Sequence, residues 1–195
     1  MFKELVRRNR SFRGYNEDRK VTKDELLELV DTARITASAS NRQPLKYYIA
    51  TEKDEVEGIL GLTKWGGALP ELHLPKDGAH PAAFVVILQD KDIAPNTQGV
   101  LIDVGIAAQT LLLQAVEKGL GGLMIRDFGL KPLREYLKLS ENLEPMLVIA
   151  IGEPAETVEI VDVKKDGSIK YYRDENGTHF VPKRRLNDVV ICKNN

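Results

Sequence analysis

The segment from Val100 to Lys118 constrains the fold more than any other part of the chain. Its apolar residues, from Val100, Leu101 and Ile102 through Leu111 to Leu113 and Val116, run almost all the way round a helical wheel, and Gly119 follows as a stop. A helix apolar on most sides has to be buried on most sides. By length, the 195 residues make one domain, or one protomer of an obligate dimer. Two burials satisfy the helix: a central place inside one monomer, or contact with a second copy. Gly105, Ala107 and Ala108 are small enough to allow close helix approach in the second case. Asp103 sits among these apolar residues and needs a partner, as part of a ligand site or as a structural cap.

The remaining elements are shorter. Thr22-Lys23-Asp24-Glu25 has the form of a capping box, and Leu26, Leu29, Val30, Ala33 and Ala37 follow at helical spacing, predicting a helix over about 23–38. A further helix is expected over 2–8, with Phe2, Leu5 and Val6 inward. Tyr47–Ala50, Phe84–Leu88, Leu123–Ile125 and Met146–Ile151 read as buried strands. Trp65 to Pro81 is rich in Gly and Pro and reads as a long excursion, either a functional lid or a surface insertion. After Gly152-Glu153-Pro154, Val158–Val163 and a hairpin around Asp174-Glu175-Asn176-Gly177 form a tail without a core of its own.

Composition excludes several classes of function. The net charge is −1, so nucleic acid and acidic membranes are not recruited globally, and any anion needs local clusters. No segment approaches the roughly 20 apolar residues of a membrane span, and the N-terminus lacks a signal-peptide core. Cys192 is the only cysteine, which fits a reducing cytoplasm. His73, His80 and His179 are scattered without metal-ligand spacing, so no metal site is expected.

Against this neutral background stand distinct polar clusters: Arg10-Ser11-Phe12-Arg13, Ser38-Ala39-Ser40-Asn41-Arg42-Gln43-Pro44 and Lys183-Arg184-Arg185. Together they suit one phosphorylated ligand. A flavin mononucleotide (FMN) would need Arg or Lys and hydroxyls for its phosphate, which Arg10, Ser11, Lys183, Arg184 and Arg185 supply. A cation near the pyrimidine edge would favour hydride acceptance, and Arg13 is the candidate. Asn41 and Gln43 carry the amides that read such an edge. Each has a plainer reading, as a solvated charge or a turn residue, and only their conjunction is specific.

These blocks resemble the nitroreductase family of FMN-dependent NAD(P)H oxidoreductases, from about Phe2 to the C-terminus. Arg10-Ser11-Phe12-Arg13 is similar to the family's Arg-Ser-x-Arg element. The run from Ser38 to Pro44 is similar to its Pro-Ser-x-x-Asn-x-Gln-Pro element, with Ala37 in place of the first proline. Asp103-x-Gly105-x-Ala107-x-Gln109, followed by Gly119-Leu120-Gly121, resembles the central-helix signature. Leu147 to Pro154 resembles the late strand, and Lys183-Arg184-Arg185-Leu186 the terminal phosphate-binding block.

The resemblance implies an α+β three-layer fold with a central, mostly antiparallel sheet flanked by helices. It implies one domain over 1–195 and an intertwined homodimer, in which about 155–195 packs on the partner protomer. FMN would be held by Arg10, Ser11, Arg13, Ser38, Ala39, Ser40, Asn41, Gln43, Ile125, Arg126, Lys183, Arg184 and Arg185, with Ile125-Arg126-Asp127 beside N5. No side chain would act as a nucleophile. NADH or NADPH would reduce a flat, electron-poor oxidant, nitroaromatic or quinone-like, by a ping-pong route. The alternative is a flavin-binding carrier or redox sensor with little turnover. The chain departs from the family at Asn9, which bears on how the phosphate or ring edge is held, at Leu45, and at Arg126 and Asp127, whose side chains would narrow the ring's face. FMN binding is still expected, and the substrate is left open.

Overall fold

The computed structural model describes residues 2–67 and 72–192. It divides into two compact units, Met1–Ala155 and Glu156–Asn195. In the first unit, α1 (Phe2–Arg8), β1 (Tyr15–Asn16), α2 (Lys23–Arg34), β2 (Leu45–Ala50) and α3 (Lys53–Gly61) come in order. They are followed by β3 (Ala83–Asp90), α4 (Thr97–Glu117), β4 (Gly121–Ile125), α5 (Leu130–Tyr136) and β5 (Leu143–Pro154). The five-stranded sheet runs β1-β5-β3-β2, with β4 also paired to β5, and every pairing is antiparallel.

Alternation along the central strands builds the layers. Val85 and Ile87 of β3, with Leu147, Ile149 and Ile151 of β5, join Leu26 and Leu29 of α2 and Ala108 and Leu111 of α4 in one core. Residues of opposite parity, such as Phe84, Val86, Val148 and Ala150, are equally buried, and α3 and α5 lie against β3 and β5. The result is helix, sheet, helix: the α+β three-layer fold.

The capping box forms as expected: Glu25 N–H donates to Thr22 Oγ1 at 3.2 Å, and Thr22 N–H to Glu25 Oε2 at 2.9 Å. The helix it starts ends at Arg34, earlier than the spacing predicts. Thr36 Oγ1 donates to Ala33 O at 2.7 Å, and a hydroxyl that takes a carbonyl in this way competes with helix continuation. Phe2 is also corrected: it is 69% exposed rather than inward. The short helices α3 and α5 escaped the sequence reading, although Asp54-Glu55 in the first turn and Val56, Ile59 and Leu60 at helical spacing signal α3.

At 21 residues α4 is long and apolar enough to cross a bilayer, contrary to the sequence expectation. Its buried face packs on the sheet and on α2. The all-round apolar pattern resolves into that face and a second, exposed one carrying Leu101, Ile102 and Ile106. Gly119, at φ +75°, takes the left-handed conformation that releases the chain into β4.

In the second unit, β6 (Val158–Asp162) pairs parallel with β8 (His179–Lys183), and β7 (Tyr172–Arg173) pairs antiparallel with β8. The expected hairpin turn is present: Thr178 N–H donates to Asp174 Oδ1 at 2.8 Å, and Gly177 has φ +81°. The short helix α6 (Leu186–Val189) follows.

Candidate functional site

Asp103, on α4, is 4% exposed, and its carboxylate is engaged twice. Ser38 Oγ donates to Oδ2 at 2.6 Å, and the Ala39 N–H donates to Oδ1 at 3.2 Å. Ser38 Oγ also accepts the Gln43 N–H at 2.9 Å, which closes the segment into a loop. Inside it, Ser40, Asn41 and Gln43 have φ of 53°, 53° and 52°. Left-handed backbone costs a residue with a side chain about 1–3 kcal/mol, and persists where its surroundings over-determine it. Here the buried carboxylate below and Pro44 behind, whose carbonyl accepts the Asp90 N–H at 2.8 Å, supply that constraint. The loop consequently presents Ser40, Asn41 and Gln43 outward. Gln43 Nε2 donates to Asn41 O at 3.2 Å and Oδ1 at 3.1 Å, so the two amides orient each other.

A cavity of about 220 Å³ opens beside the loop, lined among others by Ala37, Ser38, Gln43, Pro44, Tyr47 and Asp103. Burial, and secondarily the Asp103 carboxylate, push the Tyr47 phenol above its ordinary pKa. Periodicity placed Tyr47 in a strand, but its proximity to Asp103 arises from tertiary packing and has no sequence signal.

The N-terminal cluster is built on β4. Ser11 forms a parallel bridge with Gly122, and Phe12 N–H donates to Gly122 O at 3.2 Å. A Cβ on Gly121 would stand 2.7 Å from Phe12 Cε2, so glycine is what admits the segment. Arg10 Nη2 donates to Val6 O at 2.9 Å, while its Nε is buried with no hydrogen-bond partner among the described residues. Burial lowers the Arg10 pKa. An uncommitted guanidinium N–H beside Ser11 suits an anionic oxygen, and the donor set fits a phosphate. Arg13 Nη1 donates to Ser11 O at 3.0 Å. Asn9 is buried, 8% exposed, rather than held outward for a ligand.

Ile125 ends β4 and is buried; Arg126 and Asp127 are exposed. Lys64 N–H donates to Asp127 O at 2.8 Å, and Thr63 pairs antiparallel with Phe128. Trp65 Nε1 donates to Thr63 Oγ1 at 2.8 Å, and its ring meets Tyr15 edge-on at 6.4 Å. Tyr15 OH in turn donates to Phe12 O at 2.8 Å. The start of the Gly/Pro-rich excursion is thus tied both to the end of β4 and to the N-terminal cluster. Residues 68–71 of that excursion lie outside the described residues.

The nitroreductase family profile matches residues 6–153, which takes in the β4 platform, the Asp103 loop and the sheet between them. The chain belongs to the nitroreductase family. A relative from Archaeoglobus fulgidus, provisionally named an NADH dehydrogenase/NAD(P)H nitroreductase, is 23% identical over 158 residues, 78% of this chain and 85% of its own. The crystal structure of a nitroreductase family protein from Clostridium difficile 630 aligns with TM-score 0.65 and 27% identity, covering 80% of this chain and 86% of that one. A Staphylococcus epidermidis structure, provisionally described as an NAD(P)H:FMN oxidoreductase, aligns at TM-score 0.73 and 16% identity over 99% of this chain and 96% of its own.

For a nitroreductase-family chain, the spacing of the two clusters along α4 is informative. The Ser38–Gln43 loop is anchored at Asp103, whereas Arg8 Nη2 donates to Val116 O at 3.2 Å beside the N-terminal cluster. More than three helical turns, roughly 20 Å at 1.5 Å per residue, separate these anchors. One chain therefore does not bring the two clusters onto each other. Lys183, at the end of β8, and Arg184 and Arg185 before α6 belong to the second unit, and all three are exposed.

Proposed function

We propose that this chain is an FMN-dependent oxidoreductase that uses NADH or NADPH to reduce small, flat, electron-poor acceptors, nitroaromatic or quinone-like. The observation that carries the reading is Arg10 beside Ser11 on the β4 platform, whose buried Nε has no hydrogen-bond partner among the described residues. The Archaeoglobus relative's name supports the donor, and the Staphylococcus description supports FMN. When bound, FMN would supply the two-electron relay between donor and acceptor, the two binding in turn by a ping-pong route. Arg10 and Ser11 hold its phosphate, with Lys183, Arg184 and Arg185. Arg13 offsets negative charge developing at the pyrimidine edge, and the Asn41 and Gln43 amides, with Ser38 and Ala39, orient that edge. Ile125 and Arg126 offer backbone groups near N5. Reduction of a nitro group takes two electrons and two protons to give nitroso and water; hydride brings the electrons and one proton. Solvent or the exposed Ser40 hydroxyl delivers the second.

The active species is a homodimer. The stripe of α4 with Leu101, Ile102 and Ile106 around Gly105 is exposed among the described residues, and a Cβ on Gly105 would meet nothing within 4 Å. Two α4 helices packed antiparallel across a two-fold axis set the Asp103 end of one against the Val116 end of the other. That pairing unites the clusters that one chain holds roughly 20 Å apart. The segment Glu156–Asn195 packs on the partner within this single functional domain. The lone Cys192 thiol fits a reducing cytoplasm.

The test is the visible spectrum of the FMN-reconstituted protein before and after anaerobic NADPH or NADH. Bleaching of the flavin band is expected. Retained but unbleached flavin would favour the carrier or sensor, a reading that Trp65, held beside the site by Thr63 and Tyr15, would support by restricting access. No flavin uptake would overturn both.

A further inference from the structure

Resting on the reductase reading, we infer that Arg126 and Trp65 form a recognition pair selecting a planar aromatic carboxylate as acceptor. A strand-like join between 62–64 and 127–129 gives the register from which the pair is inferred. Gly129 N–H donates to Leu62 O at 3.1 Å, Lys64 N–H to Asp127 O at 2.8 Å, and Thr63 bridges Phe128. Side chains alternate across such a ladder, and opposed residues share a face. Thr63 and Phe128 therefore lie on one face, and carrying the same alternation one pair beyond this isolated bridge sets Trp65 with Arg126. The Trp65 Nε1 to Thr63 Oγ1 bond follows from the same placement.

The face holding Trp65 and Arg126 turns toward the N-terminal cluster, because Trp65 packs on Tyr15 and Tyr15 OH bonds Phe12 O between Ser11 and Arg13. Arg126 is exposed and makes no hydrogen bond or ion pair among the described residues. An uncommitted guanidinium next to an indole recognises an aromatic acid. The guanidinium takes the carboxylate with two parallel N–H donors, and the indole gives the ring a flat apolar wall. The same cation disfavours the pyridinium of oxidised nicotinamide, so the pair promotes exchange of spent donor for anionic acceptor. A small residue at position 126 would do neither.

The test is calorimetric titration of the oxidised, FMN-loaded protein with benzoate and benzamide, which share a ring and differ in charge. Benzoate should bind at least about tenfold more tightly, with an affinity that falls as salt rises. Arg126→Gln should abolish the difference, and Arg126→Lys should keep part of it. Trp65→Leu should weaken both ligands together. Equal binding of the two ligands, or an unchanged ratio in Arg126→Gln, would overturn the pair. So would binding of ADP without benzoate, which would assign Arg126 to the donor's phosphates.

In turnover with NADH, the ratio of kcat/KM for 4-nitrobenzoate to that for its methyl ester should drop about tenfold in Arg126→Gln per bound flavin. Equal reduction of both compounds by the unmodified protein would sink the pair and leave the reductase. Reduction of neither, with Arg126-dependent benzoate binding intact, would sink the reductase and leave the pair.

Discussion

Replacing Asp103 by alanine leaves the Ser38 hydroxyl and the Ala39 N–H without their charged acceptor in a buried setting. A loss of about 1–3 kcal/mol is expected, read as a lower urea midpoint. Because three left-handed residues depend on that anchor, FMN affinity should fall more in Asp103→Ala than in Asp103→Asn, which keeps one acceptor oxygen. The arginines should separate by role. Arg10→Ala should weaken FMN binding by tenfold or more in a fluorescence titration. Arg13→Ala should lower the midpoint potential of the bound flavin with a smaller change in affinity; an unmoved potential would remove Arg13 from its assigned role. At this scale the sequence names residue types, the guanidinium, amide and hydroxyl donors, and the variants above test their roles. The tie from Asp103 to Ser38 was not legible in it, because 65 positions of chain separate them and only the packing of α2 against α4 brings them together.

Among the elements, α2 offers a test by pH. The Arg19 guanidinium, with help from Thr22, holds the Glu25 carboxyl down at about 2. A folded-state value below the ordinary carboxylate pKa of about 4.3 gives stability that is present above that pH and lost as pH falls toward 2. Since Arg19 and Glu25 are both partly solvated, the screened contribution is about 1 kcal/mol or less. The difference in thermal midpoint between the parent and Glu25→Gln should be constant above about pH 5 and close by about pH 2. A difference that persists at low pH would show that the charge is not its source. For β4, Gly122→Ala should destabilise by roughly 2 kcal/mol or more, since the new methyl would press on Ala150 O and come within 2.6 Å of Leu112 Cδ2. Loss of the Ser11 bridge should accompany it, seen as faster amide exchange at Phe12. The capped helix and the central strands were readable because cap chemistry and apolar runs are local. The two-residue β1, which lacks any periodicity of its own, was not.

For the whole molecule, the exposed stripe of α4 is the feature to perturb. Ile102 is 68% exposed in the single chain, so Ile102→Glu costs an isolated protomer little. Sedimentation should nevertheless show a shift from dimer to monomer, with FMN retention falling in parallel because each proposed site draws on both chains. A monomeric variant that keeps FMN tightly would refute the shared site. Of the two burials open to the long apolar helix on sequence grounds, the structure shows the first: one face is core within the chain. The other face is exposed, and its cover by a second copy is the proposal that Ile102→Glu tests.

By itself, the sequence determined what is local or compositional: the capped start of α2, the apolar strands, the hairpin turn at Asp174 and the near-neutral charge that confines anion binding to clusters. The blocks quoted above also carried the family, through residue identities at fixed spacing. Tertiary structure decided which groups meet. It set Asp103 under the Ser38–Gln43 loop, threaded Ser11 and Phe12 along β4, joined Thr63 to Phe128, and split α4 into a core face and an open one. Periodicity records that a residue is buried or exposed on its own element. The partner it finds depends on how elements far apart in the chain pack, and that information is carried by no single segment.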